Sequence, residues 1–124
     1  MTTEEKKILF VDLSARLPYG VMVQLPDLFY PSRMVIEKLI GIDNEHVNDW
    51  GVPIEYVKPY LRHMSDMTRD ELDLYGRYLD TQRYIGTPIL TDLLDFLNAH
   101  HIDYRQLIEQ GLALEAPEGM YDIK

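Results

Sequence analysis

Glu55-Tyr56-Val57-Lys58-Pro59-Tyr60-Leu61-Arg62-His63-Met64-Ser65-Asp66-Met67-Thr68-Arg69-Asp70-Glu71 carries the chain from an apolar, β-leaning run into a strongly signalled helix start. Thr68 is placed to accept from the backbone N–H of Glu71 while the Glu71 side chain reaches back to Thr68, which is a capping box. This junction separates a strand-rich part, 18–58, from a helical part, 68–111, and a packed extended tail, 112–124. The expected fold class is α+β in a single domain over 1–124. It is a small antiparallel sheet, open or partly closed into a barrel, with a helical C-terminal half gathered at one side or end.

Upstream of the junction, Ile54-Glu55-Tyr56-Val57 reads as a last short strand ended by Pro59. Residues 33–42 are the best strand: Val35, Glu37, Leu39 and Gly41 alternate against Met34, Ile36, Lys38, Ile40 and Ile42, so apolar residues dominate one face and charges interrupt the other. Asp43-Asn44-Glu45 supplies turn chemistry, which predicts an antiparallel hairpin within 33–50 as His46 to Trp50 return. Val21 to Leu25 is a further strand after the forced turn at Pro18-Tyr19-Gly20. The apolar run Ile8-Leu9-Phe10-Val11 suits helix or strand by itself. The Thr2 or Thr3 cap and the acidic first turn, Glu4 and Glu5, favour a helix over 3–15.

Downstream, 68–83 is predicted helical, with Leu72, Tyr75, Tyr78 and Leu79 along one stripe. Gly86 ends that element. Thr87-Pro88 opens a second helix, 88–99, whose Ile89, Leu90, Leu93, Leu94 and Leu97 form a wide apolar face. Asp103 is read as the cap of a short third helix, 104–110, closed by Gly111.

With 124 residues, 46% hydrophobic and 27% charged, the chain suits one globular core. A formal charge of −9 argues against binding nucleic acid, whose affinity comes mainly from Lys and Arg releasing counterions. That expectation would change only if folding gathered Arg62, Arg69, Arg77 and Arg83 on one face. Anionic membranes are disfavoured on the same grounds. There is no cysteine, which removes disulfides, thiolate catalysis and Cys-type zinc sites. The N-terminus has acids before its basic pair and no long apolar core, and no segment reaches spanning length, so the expected location is cytoplasmic.

The candidate chemistry is thin. His100-His101-Ile102-Asp103 has the composition of an acid–base or metal site. However, adjacent histidines point roughly 100° apart on a helix, whereas ligands on one face need i, i+4 spacing. The macrodipole at a helix end accounts for them more simply. Asp92 with Asp95, and Asp66 with Asp70 and Glu71, are explained by a solvated face and by a helix N-terminus, since nothing flanking them argues for the burial that acid–base work requires. Ser14 and Ser65 lack a nucleophile elbow, and the glycines never cluster into a phosphate loop. No catalytic residue, metal or cofactor is therefore expected. Tyrosine is the enriched type, with nine copies, and it is a residue that interfaces over-use.

Three groups of segments carry a resemblance. They are Asp12-Leu13-Ser14-Ala15-Arg16-Leu17-Pro18-Tyr19-Gly20-Val21, then Val57 through Thr68, then Phe96 to His101 with Asp103 to Ile108 and Gly111-Leu112-Ala113-Leu114-Glu115-Ala116-Pro117-Glu118-Gly119-Met120-Tyr121. With these strings the chain resembles a family of small uncharacterised proteins of gut Bacteroides and relatives, often found in phage-like or mobile regions. The resemblance implies no activity and no site residue. Where that family tends to read Arg-Pro-Met-Ser-Ser-Met, this chain has Arg62-His63-Met64-Ser65-Asp66-Met67, and losing the proline should loosen the turn.

The function expected is a non-enzymatic accessory or protein-interaction module of a bacterial or phage-like element, with a protein partner or self-association. Its surface is placed at the loop 26–32, especially Phe29 and Tyr30, together with Tyr60 and Arg62, because turn residues there combine with aromatic and arginine side chains. The bland alternative is that Leu28, Phe29 and Tyr30 only close the bottom of a barrel. The rival reading is a small enzyme using His100, His101, Asp103 or the Asp92 and Asp95 pair.

Overall fold

The structure, a computed structural model, describes residues 1–43, 46–48, 51–85 and 88–121, with side chains described outside 81–91. Asn44, Glu45 and Trp50 of the expected hairpin, Gly86 and Thr87 between the helices, the side chains of Ile89 and Leu90, and tail residues 122–124 lie outside the described residues.

Helix α1 spans Thr3–Arg16 and includes 8–11, the run whose period was ambiguous. Its start is a capping box: Thr2 accepts from the Glu5 N–H and the Glu5 carboxylate accepts from the Thr2 N–H. A 3-10 turn, Leu17–Tyr19, ends at Gly20 with φ +70°, a left-handed conformation that glycine adopts without strain. The chain then enters β1, Met22–Pro26, which pairs antiparallel with β2, Met34–Lys38, and on its other side with β5, Lys58–Leu61. Strand β6, Leu114–Glu115, comes from the C-terminal tail and joins β5 in parallel.

The sheet order is β2-β1-β5-β6, so the sheet is open and mixed and no barrel closes. The tail enters after the helices and reaches the sheet in the same direction as β5, which makes the last pairing parallel. Pro59 sits inside β5 opposite Val23. Val23 directs its own N–H and C=O toward β2, so the missing proline donor breaks no bond between β1 and β5.

Three local expectations are corrected. First, β2 stops at Lys38, so among the described residues the expected hairpin is short: an antiparallel Ile42–Val47 bridge flanked by bonds from the Asp43 N–H to the His46 carbonyl and from the Asn48 N–H to the Gly41 carbonyl. Strand β3, His46–Val47, pairs also with β4, Val52–Pro53. Asn48 turns the chain at φ +61°, and its side chain occupies the edge beyond β2. Second, Ile54–Tyr56 is a 3-10 turn, and the strand begins one turn later. Third, 104–111 forms turns and not a helix. Gln106 lies at φ +59°, and both Asp103 carboxylate oxygens accept backbone N–H groups, from Leu107 and Ile108.

Helices α2, Arg69–Ile85, and α3, Pro88–Ala99, match their predicted bounds closely. The Thr68 and Glu71 capping box is present. The stripe on α2 is corrected: Leu72 and Leu79 are exposed, while Glu71 is buried and Tyr75 and Tyr78 pack inward. On α3, Leu93 and Leu97 are buried with Phe96, but Leu94 is exposed.

Two apolar clusters result. One joins Leu9 and Leu13 of α1 to Val21, Val23, Leu25 and Leu61, and the other joins Met67, Leu93, Phe96, Leu97 and Ile102. Each fully buried leucine contributes about 1.5–3 kcal/mol. Backbone bonds from the Arg62 N–H to the His101 carbonyl, and from the Asp103 N–H to the Arg62 carbonyl, link β5 to the segment after α3. Tyr121 ties down the tail: its hydroxyl accepts from the Met22 N–H and donates to the Tyr60 carbonyl, bridging β1 and β5. No helix among the described residues is long and apolar enough to cross a membrane.

Candidate functional site

The loop between β1 and β2 is short, polar in its backbone wiring and apolar at its tip. Asp27 Oδ1 accepts from the N–H groups of Phe29 at 2.8 Å and Tyr30 at 3.2 Å. The Asp27 N–H donates to the Arg33 carbonyl, and the Arg33 N–H donates to the Tyr30 carbonyl. An aspartate accepting from the residues that follow it organises a turn locally, without help from the core. The consequence is that the tip is held in place while its side chains stay in water. Phe29 is 80% exposed and Tyr30 66% exposed. The reading in which these rings seal the core is therefore corrected.

Leu28 leans over an apolar cleft of about 440 Å³ lined by Pro26, Pro31, Val52, Pro53 and Tyr56. The exposed apolar surface continues along β2, where Met34 and Ile36 face outward, and on to Ile40. The more hydrophobic face of this strand is thus the outer one. Val35, on the inner face, packs against the core.

Tyr60 and Arg62 do not extend this surface. Tyr60 is only 7% exposed within β5. Arg62 grips Glu71 with both terminal nitrogens at 2.7 Å, and it donates as well to the carbonyls of His100 and Asp66. The Glu71 carboxylate also accepts from the Thr68 N–H and contacts His100 Nδ1 at 2.7 Å. Burial by itself would raise the Glu71 pKa, but the Arg62 guanidinium, the Thr68 N–H and His100 together hold it down to about 2. Sequence reading took Glu71 only as a helix cap, because a local pattern cannot reveal that Arg62 and His100 converge on the same carboxylate.

The acid–base candidates separate. His101 is buried at φ +61° and stacked on Tyr121, with ring centroids 3.7 Å apart. Burial, and then the positive charges of Arg16 and Arg62, lower its pKa to about 4. Asp103 is fully occupied by backbone N–H groups. Asp92 and Asp95 are exposed, as a solvated face predicts, and they line a shallow hollow with His100, Tyr19 and Tyr78. Among the described residues no group of three or more His, Asp or Glu side chains converges as a metal site would.

A second buried network has no counterpart among the sequence expectations. Arg16 Nε donates to Asp12 Oδ2 at 2.9 Å, with both side chains fully buried, and Arg105 donates to the other Asp12 oxygen at 2.7 Å. Arg16 also donates to the Ile102 carbonyl, and both arginines lie over the Tyr104 ring. The i, i+4 spacing of Asp12 and Arg16 was the available signal, but it is the ordinary spacing of a surface pair. No family model, curated protein or solved structure matches the chain.

Proposed function

We propose that the protein is a non-enzymatic protein-interaction module, acting in the cytoplasm as an accessory of a bacterial or phage-like element, and that its binding surface is the 27–33 loop with the outer face of β2. The observation that carries this reading is Phe29, 80% exposed on a loop whose backbone Asp27 holds in place. Burying such a ring against a partner is worth about 1.5–3 kcal/mol, and a loop already ordered loses little entropy on binding. Tyr30, Leu28, Met34 and Ile36 surround it with further apolar area, the composition expected at the centre of an interface.

A photoreactive phenylalanine analogue at position 29, irradiated in the native host, tests this. A discrete protein adduct is expected, lost when Tyr30→Ser and Leu28→Ser are added while the melting temperature stays the same. An adduct pattern no different from that of the same probe at Val11, an exposed position on α1, overturns the reading.

One observation favours a second reading, a small acid–base enzyme: the His100 ring is oriented by Glu71 at the edge of the hollow that Asp92 and Asp95 line. A carboxylate behind an imidazole sets its tautomer, as a general base requires. Titration of the His100 ring resonances with small carbonyl, amine and phosphate compounds supports this reading if they shift selectively, and removes it if none does.

A further inference from the structure

Strand β2 is one of the two edge strands of the four-stranded sheet, and its hydrogen-bonding pattern shows which of its groups are free. Leu39 donates to Val21, and the Arg33 carbonyl accepts from Asp27, so the odd-numbered residues of β2 bond to β1. The even-numbered residues turn their N–H and C=O groups to the open edge. At the far end Asn48 closes that edge: its side-chain carbonyl accepts from the Ile40 and Gly41 N–H groups, and its amide donates to the Lys38 carbonyl. Met34 and Ile36 remain, with outward N–H and C=O groups and exposed side chains. Open edges of this kind accept an added strand.

Deepening the interaction-module reading and resting on it, we infer that the partner is a second copy of this chain, which adds its own β2 antiparallel to the first about a two-fold axis. In this register Met34 lies opposite Ile36 of the second copy, Val35 opposite Val35, and Arg33 opposite Glu37. The pattern Arg33-Met34-Val35-Ile36-Glu37 is self-complementary under that symmetry, as an isologous interface must be. Met34 and Ile36 exchange backbone hydrogen bonds across the axis and form one apolar cluster on the outer face. Val35 meets Val35, and Arg33 meets Glu37, in non-hydrogen-bonded positions, where side chains approach most closely. Among the described residues neither Arg33 nor Glu37 has an ion-pair partner in its own chain.

Centring on Met34 sets Arg33 against Val35 and leaves Glu37 opposite Pro31, without a charge partner; the other neighbouring registers fail for related reasons. A shift by one residue aims the free groups of one strand at groups already bonded to β1, and it mismatches the faces. Centring on Ile36 sets Val35 against Glu37 and requires the Lys38 carbonyl that Asn48 already uses. Centring on Glu37 opposes like charges. The favoured register joins the two sheets into one and carries the 27–33 loop of each copy toward the exposed Ile40 of the other.

The test is a charge exchange in the full chain, read by sedimentation and by circular dichroism. The wild-type protein is expected to be dimeric. Arg33→Glu and Glu37→Arg each oppose like charges at both ends of the interface, and each is expected to raise the dimer dissociation constant about tenfold or more with helical signal unchanged. Mixing the two variants restores both ion pairs and therefore restores the dimer as a heterodimer. Ile36→Pro removes an outward N–H that the sheet does not use, so it leaves the monomer folded and abolishes the dimer. A monomeric wild-type protein, a dimer indifferent to both charge variants, or a mixture that fails to reassemble overturns the inference. If the wild type is monomeric and the probe at position 29 still captures a different protein, the interaction surface stands and only the second-copy partner falls.

Discussion

Around His100 and His101 the protein buries Asp12, Arg16, Glu71 and Asp103, whereas along the 27–33 loop and β2 it leaves Leu28, Phe29, Tyr30, Met34 and Ile36 in water. The two regions invert the usual distribution of polar and apolar groups, and they do so for different reasons. Inside, each buried carboxylate has several donors: Asp12 takes two arginines, Glu71 takes an arginine, a backbone N–H and a histidine, and Asp103 takes two backbone N–H groups. Charges so compensated tolerate burial, and losing one partner is what becomes costly. Outside, no comparable compensation exists among the described residues. The exposed rings cost nothing in folding, and their free energy is released only when something covers them. Stability is therefore concentrated in the inverted interior, and the inverted surface is the one proposed above for recognition.

The largest effect should come from breaking the interior. Asp12→Ala leaves Arg16 buried without its carboxylate and should cost about 3–5 kcal/mol, seen as a lowered urea midpoint. A cost below about 1 kcal/mol would mean that water reaches Arg16 and that the interior is less sealed than its burial suggests. Leu93→Ala, in the apolar cluster beside these charges, should cost about 2–5 kcal/mol. If the ionic network alone held this end together, the unfolding midpoint would not move.

Acid sharpens the comparison. The folded-state pKa of His101 lies below its ordinary value of 6.5, at about 4, so between those limits the unfolded chain takes up a proton that the folded chain refuses. Stability should be complete above pH 6.5 and fall toward pH 4, by about 3 kcal/mol at most. Glu71, lowered from 4.5 to about 2, adds a second loss as pH falls from 4.5 toward 2. His101→Asn, which keeps a residue tolerant of positive φ, should flatten the first window only, and Glu71→Gln the second. Melting temperatures recorded from pH 7 to 2 distinguish them. Identical acid limbs in both variants would show that other groups control acid unfolding.

The smallest effect belongs to the exposed region. Phe29→Ser with Tyr30→Ser should change stability by no more than about 0.5 kcal/mol, because neither ring is buried. Early melting of the double variant would place the rings in the core and dissolve the contrast between the two regions.

Helix starts and stops were readable in the chain because their causes lie within a few residues. Thr2 with Glu5 and Thr68 with Glu71 form their capping boxes over one helical turn, and Gly20 takes the left-handed conformation its position requires; Gly111 is left-handed too, but it follows turns and ends no helix. The same locality misled at Asp103, whose carboxylate was rightly read as an acceptor for nearby N–H groups, but in a series of turns interrupted at Gln106. Of the four residues placed on one surface, the exposure of Phe29 and Tyr30 was readable as well. Phe29 and Tyr30 lie between prolines and follow an aspartate, whereas Tyr60 and Arg62 share that composition but are consumed by packing and by Glu71.

By itself, then, the sequence determined the helices α1, α2 and α3, the turn at Gly20 and the α+β class, but not the turns of 104–111, since capping, glycine conformation and apolar periodicity act over a few residues. Only the tertiary structure decided which face of β2 meets water, that β6 joins β5 in parallel, and that Glu71 and Asp12 are buried. Those outcomes depend on Arg105 reaching Asp12 from 93 residues away, and on Tyr121 reaching Met22 from 99. Contacts at such separations are set by the packing of whole elements, which no local pattern encodes.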